Sequence, residues 1–416
     1  MGKEGELALA VEVEPRDVGL SPERLARLDS VVRRYVDRGL LPGALAMVSR
    51  HSKVAHLFTY GSRDVKAGTP MEADTIVRLY SMTKPVTSVA AMMLYEEGAF
   101  DLYDPVSSVI PSFGDTMVWA GGNRDAPVLE PQRAPMQMWN LLTHTSGLTY
   151  GFALDHPVDG LYRRDGYGLG APRGRSLAEA CEDFARFPLV FQPGTAWNYS
   201  VSTDVLGRVV EVLSGKSLDA FFEERIFAPL RMVDTGFFVP TEQFGRLAQL
   251  YVPELGSRRA TLLPMPTEPM AKLPSMLSGG GGLFGTAGDY HRFTQMLLGG
   301  GELEGTRLLG PRTVALMTSN HLPGGATLTE FGRNSLPDLL QRGSGFGLGF
   351  AVVTDPVEAK ISNGIGTYSW GGAASTTFFV DPVDDVTMVF LTQLLPSSTH
   401  TIRRELRQLV AQSIID

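Results

Sequence analysis

Strand-forming segments lie at both ends of this 416-residue chain with a long helix-rich stretch between them, and no other feature restricts the fold as much. Near the beginning, extended runs at 43–49 and 54–60 flank the polar stretch Arg50-His51-Ser52-Lys53, a candidate hairpin. Near the end, 346–353, 376–380 and 387–393 read as strands, the last two parted by the turn-like Asp381-Pro382-Val383-Asp384-Asp385. One sheet assembled from both ends, with a helical lobe beside it, satisfies this order. The division expected is an α/β domain of residues 1–75 and 270–416 and a helix-rich lobe, 76–269, carrying Ser81, Lys84 and Tyr199. Single cores stop growing at roughly 250 to 300 residues, so the length suits two lobes, with the site in the cleft between them.

Helical periodicity fills in the rest. Ser21-Pro22 reads as N-cap and first helical residue, followed by Leu25, Leu28, Val31, Val32 and Tyr35 on a face that should cover a sheet. After Ser81, Val86, Val89, Ala90, Met93 and Leu94 continue an amphipathic pattern until Gly98, which suits the left-handed residue past a helix end. Pro85 is tolerated in the first turn, where few N–H groups have a helical partner to lose. From 105 to 266 the chain is rich in Pro, Gly and Arg, with helical patches at 177–187 and 202–213. A last amphipathic helix carries Ile402, Leu406, Leu409 and Val410.

Three segments carry chemistry. Ser81-Met82-Thr83-Lys84 places a serine three residues before a lysine, where an apolar strand gives way to a helix. A serine hydroxyl barely ionises at neutral pH and needs a base beside it; residues i and i+3 of a helix share a face, which brings the amine near the hydroxyl. Ser81 then opens the helix, where unpaired N–H groups stabilise the oxygen charge that develops in acyl transfer. Among seven lysines this is the one Ser-x-x-Lys placement.

Asn198-Tyr199-Ser200-Val201 follows the turn Phe191-Gln192-Pro193-Gly194 and precedes the helix at 202, so Tyr199 stands where a phenol can project into a cleft. A neighbouring Lys84 ammonium would favour phenolate. Moving a tyrosine from about 10 to near 7 takes roughly 4 kcal/mol, which asks for a close, desolvated cation. A neutral lysine as base is the alternative, and the residues alone leave both open. Third, Tyr368-Ser369-Trp370-Gly371-Gly372-Ala373 lies at the edge of the C-terminal strands. Paired glycines let a backbone approach a ligand closely, and an edge N–H there can join that of Ser81 in an oxyanion hole.

In this order and at this spacing, the Ser81-to-Lys84, Tyr199-Ser200-Val201 and Trp370-Gly371-Gly372 segments resemble the three motifs of family VIII carboxylesterases, relatives of class C β-lactamases and DD-peptidases. Leu141-Leu142-Thr143-His144-Thr145-Ser146-Gly147-Leu148 and Leu283-Phe284-Gly285-Thr286-Ala287-Gly288-Asp289 are similar to that superfamily too, so the likeness covers all but the first fifteen or so residues. It implies an α+β, serine β-lactamase/DD-peptidase-like fold, an antiparallel sheet flanked by helices plus a helical lobe. It also implies Ser81 as nucleophile, Lys84 and Tyr199 as the proton-transfer pair, and the N–H groups of Ser81 and Ala373 as the oxyanion hole. Trp370, Gly371, Gly372, Val201 and Tyr150 are the expected substrate-binding set, and no cofactor is implied.

Two departures from the lactamase pattern bear on substrate. Trp370-Gly371-Gly372 stands where lactamases carry Lys-Thr-Gly, removing a cation suited to a β-lactam carboxylate. A hydrogen bond to a charged group is worth about 1.5 to 3 kcal/mol, so its loss weakens anionic ligands roughly ten- to a hundredfold and leaves neutral esters untouched. Val201 replaces the amide of Tyr-x-Asn, losing a polar contact to an acyl amide. Both changes point to small or short-acyl esters whose apolar part lies against Trp370, with weak β-lactam turnover as a side reaction. The rivals are a β-lactamase or DD-peptidase, an acyltransferase of the same fold, and a penicillin-recognising protein that acylates once and stops.

Composition narrows the partners. Hydrophobic residues make up 43% and charged ones 20%, which excludes a disordered or fibrous chain. The net charge of −8 comes with no basic block, so nucleic acid and anionic membrane are poor partners, and no apolar run is long enough to span a bilayer. The N-terminal stretch MGKEGELALAVEVEPRD lacks the parts of a secretory signal, and Cys181, the single cysteine, forms no internal disulfide; a cytoplasmic protein is expected. The seven histidines show no metal-ligand spacing, and His144, in a Thr-His-Thr-Ser-Gly turn, reads as structural because Ser–Lys–Tyr chemistry needs no histidine. The glycine run 279–282 lacks the Gly-Lys-Ser/Thr ending of a phosphate loop and reads as a flexible or tightly turned segment near the cleft. No Gly-x-Ser-x-Gly occurs, which disfavours an α/β-hydrolase.

Overall fold

The computed structural model describes residues 9–168, 170–172, 174–264, 271–333 and 340–416. Residues 1–8 and the expected domain boundary at 269/270 lie outside them. Helix α1, Pro22–Asp37, begins where sequence chemistry puts it: the Ser21 hydroxyl accepts from the Arg24 N–H at 3.3 Å and Pro22 takes the first helical position. It lays Leu25, Leu28, Val32 and Tyr35 against the sheet.

Strands β1 (Gly43–Arg50) and β2 (Lys53–Asp64) form the hairpin, with a turn tighter than the four residues expected. Only His51 and Ser52 make the bend, at φ 52° and 59°. A two-residue hairpin needs this left-handed backbone to match the strand twist. The remaining strands of the sheet are β3 (Thr69–Pro70), β6 (Ser344–Phe346), β7 (Ala351–Val353), β8 (Tyr368–Gly371), β9 (Thr377–Asp381) and β10 (Val386–Leu391). All pairs are antiparallel, in the order β6-β7-β8-β9-β10-β1-β2-β3, with Leu45 opposite Leu391 and Arg50 opposite Val386. The run 346–353 is therefore two strand pieces and not one. Gly347 bonds back to the Phe350 carbonyl at 2.8 Å, and Gly349 at φ 101° turns the chain.

Both faces of the sheet are covered. Leu45 and Met47 of β1 pack into the core shared with the helical lobe, while Ala44, Ala46 and Val48 pack under α1 and the C-terminal helix α6, Ile402–Ala411. With apolar side chains on both sides, polarity cannot set the register; side-chain volumes and the short turn must. The structure is thus an antiparallel sheet flanked by helices, the fold class expected.

Helix α2, Thr83–Glu96, departs from its expected amphipathic character. Every residue from Thr83 to Leu94 is buried, so it is the central helix of the lobe. It packs against α4, Ser202–Ser214, which in turn rests on α3, Leu177–Arg186. Helix α5, Ala287–Leu298, capped by the Thr286 hydroxyl, packs on strands β9 and β10.

Candidate active site

Ser81 is delivered by a short, strained connection. Strand β4, Val77–Arg78, pairs with β5, Phe284–Gly285, and the chain then makes a single 3₁₀ turn, Tyr80–Met82, before α2 begins at Thr83. Tyr80 takes φ 47°, a left-handed conformation disfavoured by roughly 1–2 kcal/mol for a residue with a Cβ. His144 (φ 55°), in the turn that leads to Tyr150, and Ser375 (φ 70°), just past the Trp370 segment, adopt the same region. Backbone strain gathers at functional loops when the surrounding fold holds it in place.

Lys84 is 2% exposed, and its amine reaches three oxygens: Ser81 Oγ at 3.5 Å, Tyr150 OH at 2.9 Å and the Gly280 carbonyl at 2.6 Å. A lysine ammonium has three N–H donors, so this set saturates it. Tyr199 stands beside the amine differently from expectation. Lys84 Nζ lies over its ring, 4.6 Å from the centroid, and the Tyr199 hydroxyl is buried with no hydrogen-bond partner among the described residues. The phenol that bonds the lysine is Tyr150. Burial pushes the Tyr150 phenol well up, with the neighbouring Tyr199 and Asp204 adding to the effect, so it stays a neutral hydroxyl.

The two tyrosine loops are laced together. Asn198 N–H donates to the His144 carbonyl at 2.9 Å, Asn198 Nδ2 to Leu148 at 2.9 Å, and Val201 N–H to Thr149 at 3.3 Å, which sets the Tyr150 and Tyr199 rings 5.3 Å apart. A buried relay of hydroxyls, Ser146 to Ser202 to Ser200, ends on His144 Nδ1 at 3.2 Å. Burial, and then the charge of Lys84, hold His144 well below its usual range. It is a neutral ring wedged against Tyr199, Trp197 and Phe346, as a structural residue should be.

Asp204 escaped sequence reasoning, and the glycine run, expected as a flexible or tightly turned segment near the cleft, makes contacts that the sequence did not reveal. Asp204 lies in the buried first turn of α4, its Oδ1 accepting from Ser278 Oγ at 2.5 Å and from the Gly280 N–H at 3.1 Å. Burial raises its carboxyl, opposed first by the Lys84 charge. The run 279–282 is packed tightly against the helices. A Cβ on Gly279 would lie 2.7 Å from the Thr203 carbonyl, and one on Gly280 would lie 2.6 Å from Asp204 Oδ2 and 3.1 Å from Tyr150 OH. Only glycine lets this backbone come close enough to hand a carbonyl to Lys84. Gly280→Ala should lower kcat on a nitrophenyl ester about ten- to a hundredfold and destabilise the fold by about 1–3 kcal/mol. In Gly281→Ala the new methyl meets nothing nearer than 3.8 Å, so rates and melting curves of that variant should match the parent.

The third segment is not at a sheet edge, since β8 has β7 on one side and β9 on the other. Strand β7 pairs only as far as Ser369, however, so Trp370 and Gly371 run on beyond it. Gly372 then approaches the Ser81 connection directly: a Cβ there would sit 2.3 Å from the Leu79 carbonyl. The backbone N–H groups of Ser81 and Ala373 take part in none of the hydrogen bonds found among the described residues. Trp370 is only 4% exposed, its ring packed on Tyr199 and Phe346, and Val201 is 5% exposed in the core. Neither offers the open apolar wall expected for the substrate. Phe152, stacked on Tyr150 at 4.5 Å and partly exposed, provides one instead. No cluster of metal-ligating side chains occurs among the described residues.

The Beta-lactamase family model matches residues 28–412. The chain belongs to the β-lactamase family. Its resemblance to family VIII esterases within that family is borne out by Esterase EstB of Burkholderia gladioli, 32% identical over 400 residues that cover 92% of this chain and 94% of that one. Protein Rv1367c of Mycobacterium tuberculosis is 37% identical over 368 residues, covering 88% and 89%. Among solved structures, EstCE1, described as a hydrolase with promiscuous acyltransferase activity, aligns with a TM-score of 0.78 at 27% identity over 95% of this chain and 99% of its own. This β-lactamase-family protein is a serine hydrolase.

Proposed function

We propose that this chain is a carboxylesterase that hydrolyses small or short-acyl esters through an acyl-enzyme on Ser81. The observation that carries the reading is the meeting of Ser81 Oγ with the buried Lys84 amine at 3.5 Å, beside a Tyr199 hydroxyl that has no hydrogen-bond partner among the described residues. Once Lys84 has lost one proton to solvent and reacts as the neutral amine, Ser81 attacks the ester carbonyl as its own proton passes to that amine, and the carbonyl oxygen, now charged, receives the N–H groups of Ser81 and Ala373. The C–O bond to the alcohol breaks as Tyr199 protonates the leaving oxygen, and Lys84 restores the phenol's proton. Water then attacks the acyl carbonyl along the reverse proton route and releases the acid. An unsatisfied buried hydroxyl asks for an explanation, and a leaving-group oxygen arriving with the substrate supplies one.

The cations next to the site favour neutral substrates. Lys84 is held by three oxygens, and Arg403 by the carbonyls of Gly372 and Thr376, so a substrate carboxylate finds competition for both. Phe152 and Tyr150 supply an apolar surface for a short acyl or alcohol group. No helix among the described residues is long and apolar enough to cross a membrane, and the buried, unpaired Cys181 thiol suits a reducing, cytoplasmic setting.

A substrate panel tests the reading: p-nitrophenyl acetate, butyrate and palmitate, a cephalosporin, and a D-Ala-D-Ala dipeptide. The acetate and butyrate should show the highest kcat/KM. Faster turnover of the cephalosporin or the dipeptide would replace the esterase with a lactamase or peptidase. Acyltransferase activity is the second reading, favoured by the description of EstCE1; added butanol should then be acylated in preference to water.

A further inference from the structure

We infer that Arg403, on the C-terminal helix far from Ser81 in sequence, is a positioning residue that aims and polarises the Ala373 N–H of the oxyanion hole. The inference rests on the esterase reading above and goes further, because no motif of the chain points to this arginine. Its guanidinium Nη2 donates to the Gly372 carbonyl and, at 2.8 Å, to the Thr376 carbonyl. The Gly372 carbonyl and the Ala373 N–H belong to one peptide unit. In a trans peptide these two bonds point in opposite directions, so anchoring the oxygen fixes where the N–H aims. The Ser375 N–H donates to the same oxygen at 3.1 Å, and Gly372 N–H in turn donates to the Thr376 carbonyl at 2.9 Å, which closes the turn.

Charge adds to aim. A charge-assisted bond to an amide oxygen draws electron density from the nitrogen and strengthens its N–H as a donor, and in a buried network such polarisation is cooperative. The seat is built for the guanidinium: a Cβ at Gly371 would lie 2.8 Å from Arg403 Cζ, so any other residue there would displace it. One helical turn on, the half-buried Arg407 bonds Ser369 Oγ on the same strand, and desolvation of its guanidinium lowers it to about 10. Helix α6 therefore braces strand β8 from behind, on the side away from Ser81, and Arg403 is the one of the two that reaches the peptide carrying the donor.

Arg403→Met and Arg403→Lys, assayed beside Ser81→Ala on p-nitrophenyl butyrate, test this. Arg403→Met should lose kcat about ten- to a hundredfold with KM within twofold, since the oxyanion forms after binding. Arg403→Lys, which keeps a charged donor, should recover most of that loss. The carbonyl stretch of Ser81 acylated by p-nitrophenyl cinnamate, read by difference infrared spectroscopy, should lie at higher wavenumber in Arg403→Met than in the parent, because a weaker N–H polarises it less. Should the methionine variant not fold, the lysine variant carries the test with an intermediate kcat and band position. An unshifted carbonyl band, or a kcat within twofold of the parent in a folded Arg403→Met, overturns the role given to Arg403 and leaves the esterase reading standing. Turnover retained in Ser81→Ala instead overturns the esterase reading itself.

Discussion

Ser81→Ala is expected to reduce hydrolysis of p-nitrophenyl butyrate by at least about 10³-fold and to abolish the burst of nitrophenol that marks acylation. The structure explains why no other group should take over. The Lys84 amine is buried and turned toward oxygens, the Tyr199 hydroxyl is enclosed, and His144 sits neutral behind the tyrosine with its Nδ1 against Ser200. The substitution removes one half-buried oxygen and leaves Lys84 with Tyr150 and Gly280, so the fold should keep its melting temperature within a few degrees. A folded Ser81→Ala protein that still gives a burst would require a different nucleophile.

Lys84→Met should have the second largest effect, a fall in kcat of about 10²- to 10⁴-fold, the range for removing a positioned acid–base group. Methionine fills much of the same volume, but the Gly280 carbonyl then has no lysine donor. An unsatisfied buried acceptor is worth about 1–3 kcal/mol, so this variant, unlike Ser81→Ala, should also melt earlier. Circular dichroism at the assay temperature separates the two effects. The paired tyrosines refine the picture: Tyr199→Phe should approach the lysine variant in kcat while Tyr150→Phe, which removes a support of the amine, should lose about tenfold. A reversal of that order would make Tyr150 the proton carrier.

What the sequence made legible was whatever a few consecutive residues decide. The N-cap at Ser21, the helix after Ser81, and the motif around Trp370 all follow from local chemistry, as does a sheet drawn from both ends. The character of α2 did not, for a specific reason. Thr83, Lys84 and Thr87 look like the wet face of an amphipathic helix, but that face is covered by the glycine segment. Thr87 Oγ1 donates to the Gly279 carbonyl at 2.7 Å, Thr83 Oγ1 accepts from the Leu283 N–H at 3.1 Å, and Lys84 reaches Gly280. Those partners are almost 200 residues away, and no periodicity argument brings them together. Asp204 was hidden in the same way, a carboxylate in a helix whose partners, Ser278 and Gly280, lie across the lobe. A run of four glycines was the available signal, since glycines that are not turning a chain are often letting two backbones touch. The single strand expected at 346–353 failed because Gly349 passes so close to α2, 2.2 Å from Ser88 Oγ for an added Cβ, that the chain has to fold back there.

The pairing of β1 with β10 also sets a schedule for synthesis. Strand β1 is complete at residue 50, but its hydrogen-bonding neighbour at 386–391 is translated roughly 330 residues later, about 20 to 70 s at ordinary ribosome speeds. During that interval one side of the hairpin presents bare N–H and carbonyl groups along a largely apolar strand, the kind of surface that recruits other nascent chains or a chaperone. The turn at 372–376, which the proposal assigns to the oxyanion hole, is also translated late, so the proposed acylating centre should stay silent until residue 376 has left the ribosome.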